Sequence, residues 1–595
     1  MHSRNHRKSS QRRSRLGRLL AGFLMIFVGA SPLGAWQTTD MEGALLFPKS
    51  TNFYVEIGQP QAVVEKLIDH PLREKIATLA PVKQGLNAPG MKQLRIGLAF
   101  LEARVGEKWL PTVKQLTQGG LFLGADLATE SFGLAFHSND EALLKKTAGE
   151  VLGFLKQQVG NDAYEIKTFR KGKLAVLDGL IVGRFGKWFL ISNQETFIRQ
   201  MVNNLRDGLE RGKVLPETLA SSQAFKEAKS KQSSSGDLWA WVDLQVLRAA
   251  PDTDALFAGR TDNPAVELLF GGILEALEDA EFVSGDFGFD NQKLMLHVSL
   301  PFDGQSIRET REFYFGNQRL GQAPPLIEVP DLLGQVVTYR DLGRWWLAKE
   351  ELFPENVIAD LSLTESQLST FFGGADFGED ILGALQPGLL LVAKEQDYTA
   401  GVNPDIKLPA FALIGRLQNP QRETRFRISF NSFITLLNLS ENGNMTQFDV
   451  QTMKEKNYRV TSANYLREDD ADEGLIQYNF SPSIAFQDDY MIISSTEDFA
   501  HELAEATRKI DSKDSSDSNT VVVLNSDAIK KQLTLNREVL VAQSMMGNAK
   551  SRDQATAEFD LALAIMQYAK QAKLNYRVKS RGMELTLQVD LQDAD

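Results

Sequence analysis

The chain of 595 residues contains no cysteine and only six histidines. The first absence excludes disulfides, thiolate zinc sites and thiol catalysis. Four of the histidines, His70, His137, His297 and His501, lie beyond the N-terminal leader and fall in four separate segments. His501 opens His-Glu-Leu-Ala-Glu, where Glu505 stands in place of the second imidazole of a zinc-protease helix. A surface histidine beside helical glutamates is the reading that remains. No Gly-x-Ser-x-Gly elbow, phosphate loop or dinucleotide fingerprint occurs, and no Ser-x-x-Lys follows the leader. Asp286-Phe287-Gly288 and Asp376-Phe377-Gly378 spell a kinase tripeptide without its companion motifs. The acidic stretch 467–474 offers oxygen ligands but fails calcium-loop spacing: with Asp470 first and Asp472 third, Gly474 falls fifth. No cofactor and no metal is expected.

Long apolar runs are missing too, except at the start. Residues 1–18 are basic without an acid, 19–30 are apolar and 31–35 are small. That order predicts a signal peptide over 1–35, cleaved after Ala35 or, as second choice, after Ala30. The alternative is a retained N-terminal anchor, for which the run is short. The implied location is exported, periplasmic or extracellular, with no transmembrane domain after leader cleavage. The leader holds seven Lys/Arg and no Asp/Glu, so its removal takes the formal charge from −12 to −19. Such a surface repels nucleic acid and anionic membrane. Apolar content of 43% with 24% charged residues is that of a globular protein, and the length suits several domains.

What the sequence does contain is repetition. FLISNQETFIRQM at 189–201 and MIISSTEDFAHEL at 491–503 each read as a buried strand ending in serine, a polar cap and an amphipathic helix. Strand-rich stretches precede both joints, with turns at Lys171-Gly172-Lys173 and Phe185-Gly186-Lys187 in the first. Hairpins feed long helices upstream: 120–139 leads into a helix capped by Asn139, and 410–419 into one capped by Asn419 with Pro420 at its first position. Ser-rich linkers follow at 229–237 and 511–519, then a strand, then helices over about 264–280 and 535–572, then closing hairpins turning at Asp290-Asn291 and Arg581-Gly582. Tyr54 pairs with Val337 at an offset of 283, Trp241 with Val523 at 282, and Ser192 with Ser494 at 302.

The expected fold is α+β: two tandem, internally duplicated domains at 44–303 and 331–595, each a largely antiparallel sheet with helices packed on one face. Residues 304–330 are expected to link them, and a fragment 36–303 to fold alone. Trp239 and Trp241 share a strand face and read as core. Three glycosylation sequons, at Asn438, Asn444 and Asn479, read as chance under a leader of bacterial style.

The joint WFLISNQETF, with its echo YMIISSTEDF, resembles exported bacterial proteins carrying domains of unknown function. The resemblance is diffuse, covers most of the chain beyond the leader, and implies export without an assigned activity.

Three functions compete. The first is a non-enzymatic exported scaffold that binds a protein or envelope component. The second is a periplasmic carrier of an apolar ligand such as a lipid, suggested by 35 phenylalanines. The third is a hydrolase with an unrecognised carboxylate site. Partner contacts are expected on two loops longer in the second copy, 395–409 and 467–474, with Tyr398, Asp405, Asp469, Asp470 and Asp472 as candidates.

Overall fold

A computed structural model describes residues 42–592 apart from 79–82, 84–97, 100–101, 105, 107, 160–163, 178, 233–235, 250–252, 254–255, 303–306, 320, 399–403, 440–447, 456, 466–474 and 511–515. The predicted signal peptide and Asp469, Asp470 and Asp472 lie outside the described residues. The fold is α+β and its paired strands are antiparallel. No helix among the described residues is long and apolar enough to cross a membrane.

The chain divides into two units. The first runs to Pro251 and includes Glu281–Ser299; the second holds Asp252–Ala280 and Leu300–Gln592. In the first, the strands are β1 (Phe53–Ile57), β2 (Leu121–Asp126), β3 (Ser131–His137), β4 (Tyr164–Phe169), β5 (Gly172–Leu177), β6 (Leu180–Phe185), β7 (Trp188–Ser192), β8 (Leu238–Asp243), β9 (Phe282–Phe289) and β10 (Lys293–Leu300). They pair in the order 4-5-6-7-3-2-1-8-9-10. In the second, they are β11 (Leu332–Thr338), β12 (Leu385–Lys394), β13 (Ala410–Leu417), β14 (Phe448–Lys454), β15 (Arg459–Tyr465), β16 (Ser483–Gln487), β17 (Tyr490–Ser494), β18 (Thr520–Asn525), β19 (Ala569–Lys579) and β20 (Gly582–Leu591). Their order is 14-15-16-17-13-12-11-18-19-20.

Each unit lays the helix after its serine joint on one sheet face. In the first, α2 (Glu195–Asp207), which follows α1 (Glu141–Val159), buries Phe197, Ile198, Met201, Val202 and Leu205 against Tyr54, Ala135, Ile181 and Leu190. That i, i+1, i+4, i+5, i+8 spacing is one helical stripe. The joint serine starts the helix: the Ser192 hydroxyl accepts the Gln194 N–H at 3.1 Å and donates to the Phe132 carbonyl at 2.6 Å. The Ser494 hydroxyl likewise accepts the Thr496 N–H at 3.2 Å.

The expectation of helices on one face fails. In the first unit α1 packs Leu143, Leu144 and Ala148 against Val182 and Phe189, whose side chains lie opposite Ile181 and Leu190. Strands apolar at both parities, such as Leu180-Ile181-Val182, need cover on both sides. The cap of α1 is Asp140, which accepts the Leu143 N–H at 2.8 Å, rather than Asn139.

The expected linker is not a linker. Phe313, Tyr314 and Phe315 are buried, and Arg311 beside them pairs with Glu267 and with Glu275, the latter at 2.5 Å. Both carboxylates belong to α3 (Pro264–Asp279), which thereby packs in the second unit although the repeat pattern assigns it to the first copy. Arg340 donates to the Leu268 and Leu269 carbonyls at 2.7 and 3.0 Å. A fragment ending at residue 303 would leave α3 without either arginine.

Candidate apolar ligand site

In the second unit, Ala412 and Ile414 of β13 turn toward α5 (Glu497–Thr507), which follows α4 (Glu423–Leu439) and buries Phe499 and Leu503 on that face. Phe411 and Leu413 therefore turn to the other face. Register carries Leu413 to Ile493 on β17, to Leu391 on β12 and on to Val336 on β11. The neighbouring row reads Leu524, Gly334, Ala393, Phe411. These strands sit in mid-sheet, yet Phe411 is 53% exposed, Leu391 45%, Ile493 43% and Leu524 42%.

They floor a cavity of about 830 Å³, within the roughly 300–1,000 Å³ of small-molecule sites. Its walls include Leu437 of α4, Phe448 and Tyr465 of the β14–β15 hairpin, Phe480, and Ile529 of α6 (Ser526–Leu535). Among the described residues no charged side chain lines it. The polar side chains at its edge are occupied. Ser495 accepts the Phe411 N–H at 2.9 Å, Ser494 accepts the Thr496 N–H at 3.2 Å, and Gln335 exchanges bonds of 3.0 and 3.2 Å with the Ile327 backbone. The Tyr465 hydroxyl is the exception: among the described residues it has no hydrogen-bond partner. Burial holds it above its ordinary pKa, so it stays a neutral donor.

Two asparagines frame the walls. Asn438, at the end of α4, donates to the Phe448 carbonyl at 3.0 Å and accepts its N–H at 2.8 Å. Asn479 is 1% exposed, accepts the Leu408 N–H at 2.8 Å and donates to the Ile406 carbonyl at 2.8 Å. Lys407 in turn bonds Asn536 beyond α6 through both backbone groups, at 2.9 and 2.6 Å. The 404–409 strand end thus ties the Phe480 side of the cavity to the α6 side. Sequence reasoning passed over both asparagines as chance sequons; no periodic signal marks an amide that bonds backbone across long sequence separations.

The predicted contact residues separate. Tyr398 is a framing residue: its hydroxyl lies 2.6 Å from the Leu408 carbonyl oxygen and 2.5 Å from Asn479 Oδ1, and burial raises its pKa. Asp405 is exposed. The structure does not bring the two together as a site. Elsewhere, His501 bonds the Tyr458 hydroxyl at 3.0 Å, and no cluster of potential metal ligands occurs among the described residues.

The same row in the first unit is covered. Val55, Leu123, Leu134 and Ile191 pair in the register of Val336, Leu391, Leu413 and Ile493. None of the four is exposed. Ile191 and Phe132 pack on the α1 cluster, and Leu134 and Phe136 on Ile57, Val63 and Leu121. The neighbouring row reads Val242, Phe53, Ala125, Phe132. Phe53 stands where the second unit has Gly334.

No family model matches the chain, and no curated protein matches it. Among solved structures it is similar to TP0453 in crystal form I, at a TM-score of 0.23 and 10% identity, and in crystal form III, at 0.25 and 8%, each covering 49% of this chain and 90% of that one. Likeness at that level carries no argument about this chain's function.

Proposed function

We propose that this is an exported, non-enzymatic binding protein whose second unit carries an apolar ligand. The observation behind it is the 830 Å³ cavity, lined among the described residues by apolar and neutral side chains. Four large apolar side chains of its floor stand roughly half exposed in mid-sheet, where completing the burial of each would be worth about 0.7–1.5 kcal/mol. A ligand chain offers the same gain at about 0.8 kcal/mol per buried methylene. This favours the carrier over the protein scaffold, which fits the missing catalytic sets equally well but gives the cavity no role.

The two units are best read as copies of one plan. The shared strand order, the matched rows and the two serine joints support this. In that reading the first copy keeps its sheet covered and serves as scaffold, and the second has opened its sheet to a ligand.

The test is native mass spectrometry of the protein purified from its own host, before and after organic extraction. A bound mass lost on extraction is expected. A bare chain that also fails to take up long-chain lipids would contradict the carrier reading.

A further inference from the structure

The cavity's polar inventory says more about its ligand than its volume does. The row Leu524, Gly334, Ala393, Phe411 sets two small residues side by side between two large, half-exposed ones. The step across Gly334 and Ala393 is therefore a trough. Gly334 cannot fill it cheaply: a Cβ there would come within 2.7 Å of Leu524 Cδ2 and 2.9 Å of the Val523 carbonyl oxygen. On this floor Gln335 spends both amide groups on the Ile327 backbone, and the serine oxygens at its edge accept backbone N–H groups. On the wall stands a phenol donor. Tyr465 lines the cavity between Phe448, whose ring centroid lies 4.1 Å away, and Tyr478 at 6.2 Å. Tyr465 is half-buried and its hydroxyl makes no hydrogen bond to a described residue, so a ligand acceptor can take it without displacing a protein partner.

We infer that the ligand is a single-chain amphiphile with a hydrogen-bond acceptor at one end, its alkyl chain crossing the Gly334–Ala393 trough and its acceptor taking the Tyr465 hydroxyl. This rests on the cavity being an apolar ligand site. The chemistry shared by fatty acids and monoacyl esters satisfies it: a long methylene run and a carbonyl oxygen. A cationic amphiphile has the run without the acceptor. Tyr465 is here a specificity residue, since the trough alone would hold either.

The experiment uses the full chain after leader removal, loaded with the fluorescent probe anilinonaphthalene sulfonate. Displacement is measured with dodecanoate and with dodecyltrimethylammonium, which carries the same chain length in its tail but no acceptor. In the wild type both displace the probe. Tyr465→Phe should weaken dodecanoate by about three- to tenfold and leave dodecyltrimethylammonium within about twofold. Leu391→Trp, at a side chain already half exposed, and Ala393→Leu should each weaken both by about tenfold or more as they fill the trough; thermal melts identify any variant that has lost its fold, and Leu391→Trp carries the test if Ala393→Leu does. Equal weakening of both amphiphiles by Tyr465→Phe, or of neither, overturns the head-group assignment and leaves the cavity reading standing. If neither amphiphile displaces the probe from the wild type, the cavity reading falls and the inference falls with it.

Discussion

The two units of this protein hold the same row of apolar side chains and do different things with it. In the first unit Ile191 and Leu134 pack on neighbouring apolar clusters, and Val55 and Leu123 are half-buried. Val336, Leu391, Leu413 and Ile493 in the second occupy the same register and floor an open cavity. The residues are nearly the same in kind, so side-chain chemistry does not explain the difference. What differs is cover and one position in the next row: Phe53 in the first unit, Gly334 in the second. In the second unit Leu391 and Ile493 of that row stand about half exposed, whereas none of the four in the first unit is exposed.

The largest effect is expected at Arg311. Arg311→Met leaves Glu267 buried without its cation and Glu275 with only the half-exposed Arg308, and removing one partner of a buried pair costs about 3–5 kcal/mol. Hydrogen exchange should show lost protection in α3 and the 309–319 segment, with α2 and its sheet unchanged. Equal loss in both units would mean that they do not differ in this way. A fragment 36–303, which lacks Arg311 and Arg340, should keep a cooperative melt in α2 and its sheet while α3 exchanges without protection; an α3 protected in the fragment would assign it to the first unit.

Next comes the trough. Ala393→Phe should reduce affinity for a long-chain fatty acid about a hundredfold, near 2.7 kcal/mol, because the ring takes the place that Phe53 holds one strand over in the first unit. The reverse change addresses the same contrast. Phe53→Ala should cost about 1–3 kcal/mol, less than a fully buried phenylalanine since this one is half-buried, and should raise the stoichiometry toward two ligands per chain by titration calorimetry. A stoichiometry that stays at one would show that cover by α1, not the ring, closes the first sheet.

A smaller effect is graded. Each methylene added to a ligand between eight and twelve carbons should tighten binding by up to about fourfold, the equivalent of about 0.8 kcal/mol. The smallest is a null result with a sign behind it. Among the described residues no carboxylate, lysine or histidine lines the cavity, and the Tyr465 hydroxyl titrates above its ordinary value. It therefore loses no proton from about pH 6 to about pH 9, and the affinity for an already ionised fatty acid should be flat there. A fall in affinity across that range would point to a titrating group the cavity does not contain.

Much of the fold was legible. The period-two strands, the turns at Gly186 and at Asp290-Asn291, and the strand–serine–helix joints follow local rules and appear where expected. The Lys171-Gly172 turn is shifted by one: Arg170 and Lys171 take the left-handed positions and Gly172 begins β5. The single helix expected over about 535–572 is two helices, Arg537–Asn548 and Arg552–Met566. Ala549 breaks it with a φ of 50°, and Ser551 starts the second helix with a capping box to Gln554. The cavity was not legible. Leu123 and Leu391 look alike in sequence, and whether a helix covers them depends on contacts far along the chain. The one local clue was hidden by a slip of two residues. The offset of 283 set Tyr54 against Val337, whereas the sheets register Val55 with Val336, and only in that register does Gly334 meet Phe53.

The difference between the two sheets is tested most directly by photo-crosslinking the full chain with a fatty acid that carries a diazirine in mid-chain, followed by peptide mapping. The account predicts label on β12, β13 and β17, at peptides holding Leu391, Leu413 and Ile493, competed away by unlabelled fatty acid. Equal, competable labelling of the first unit's peptides holding Leu123, Leu134 and Ile191, or labelling confined to surface helices, would contradict it.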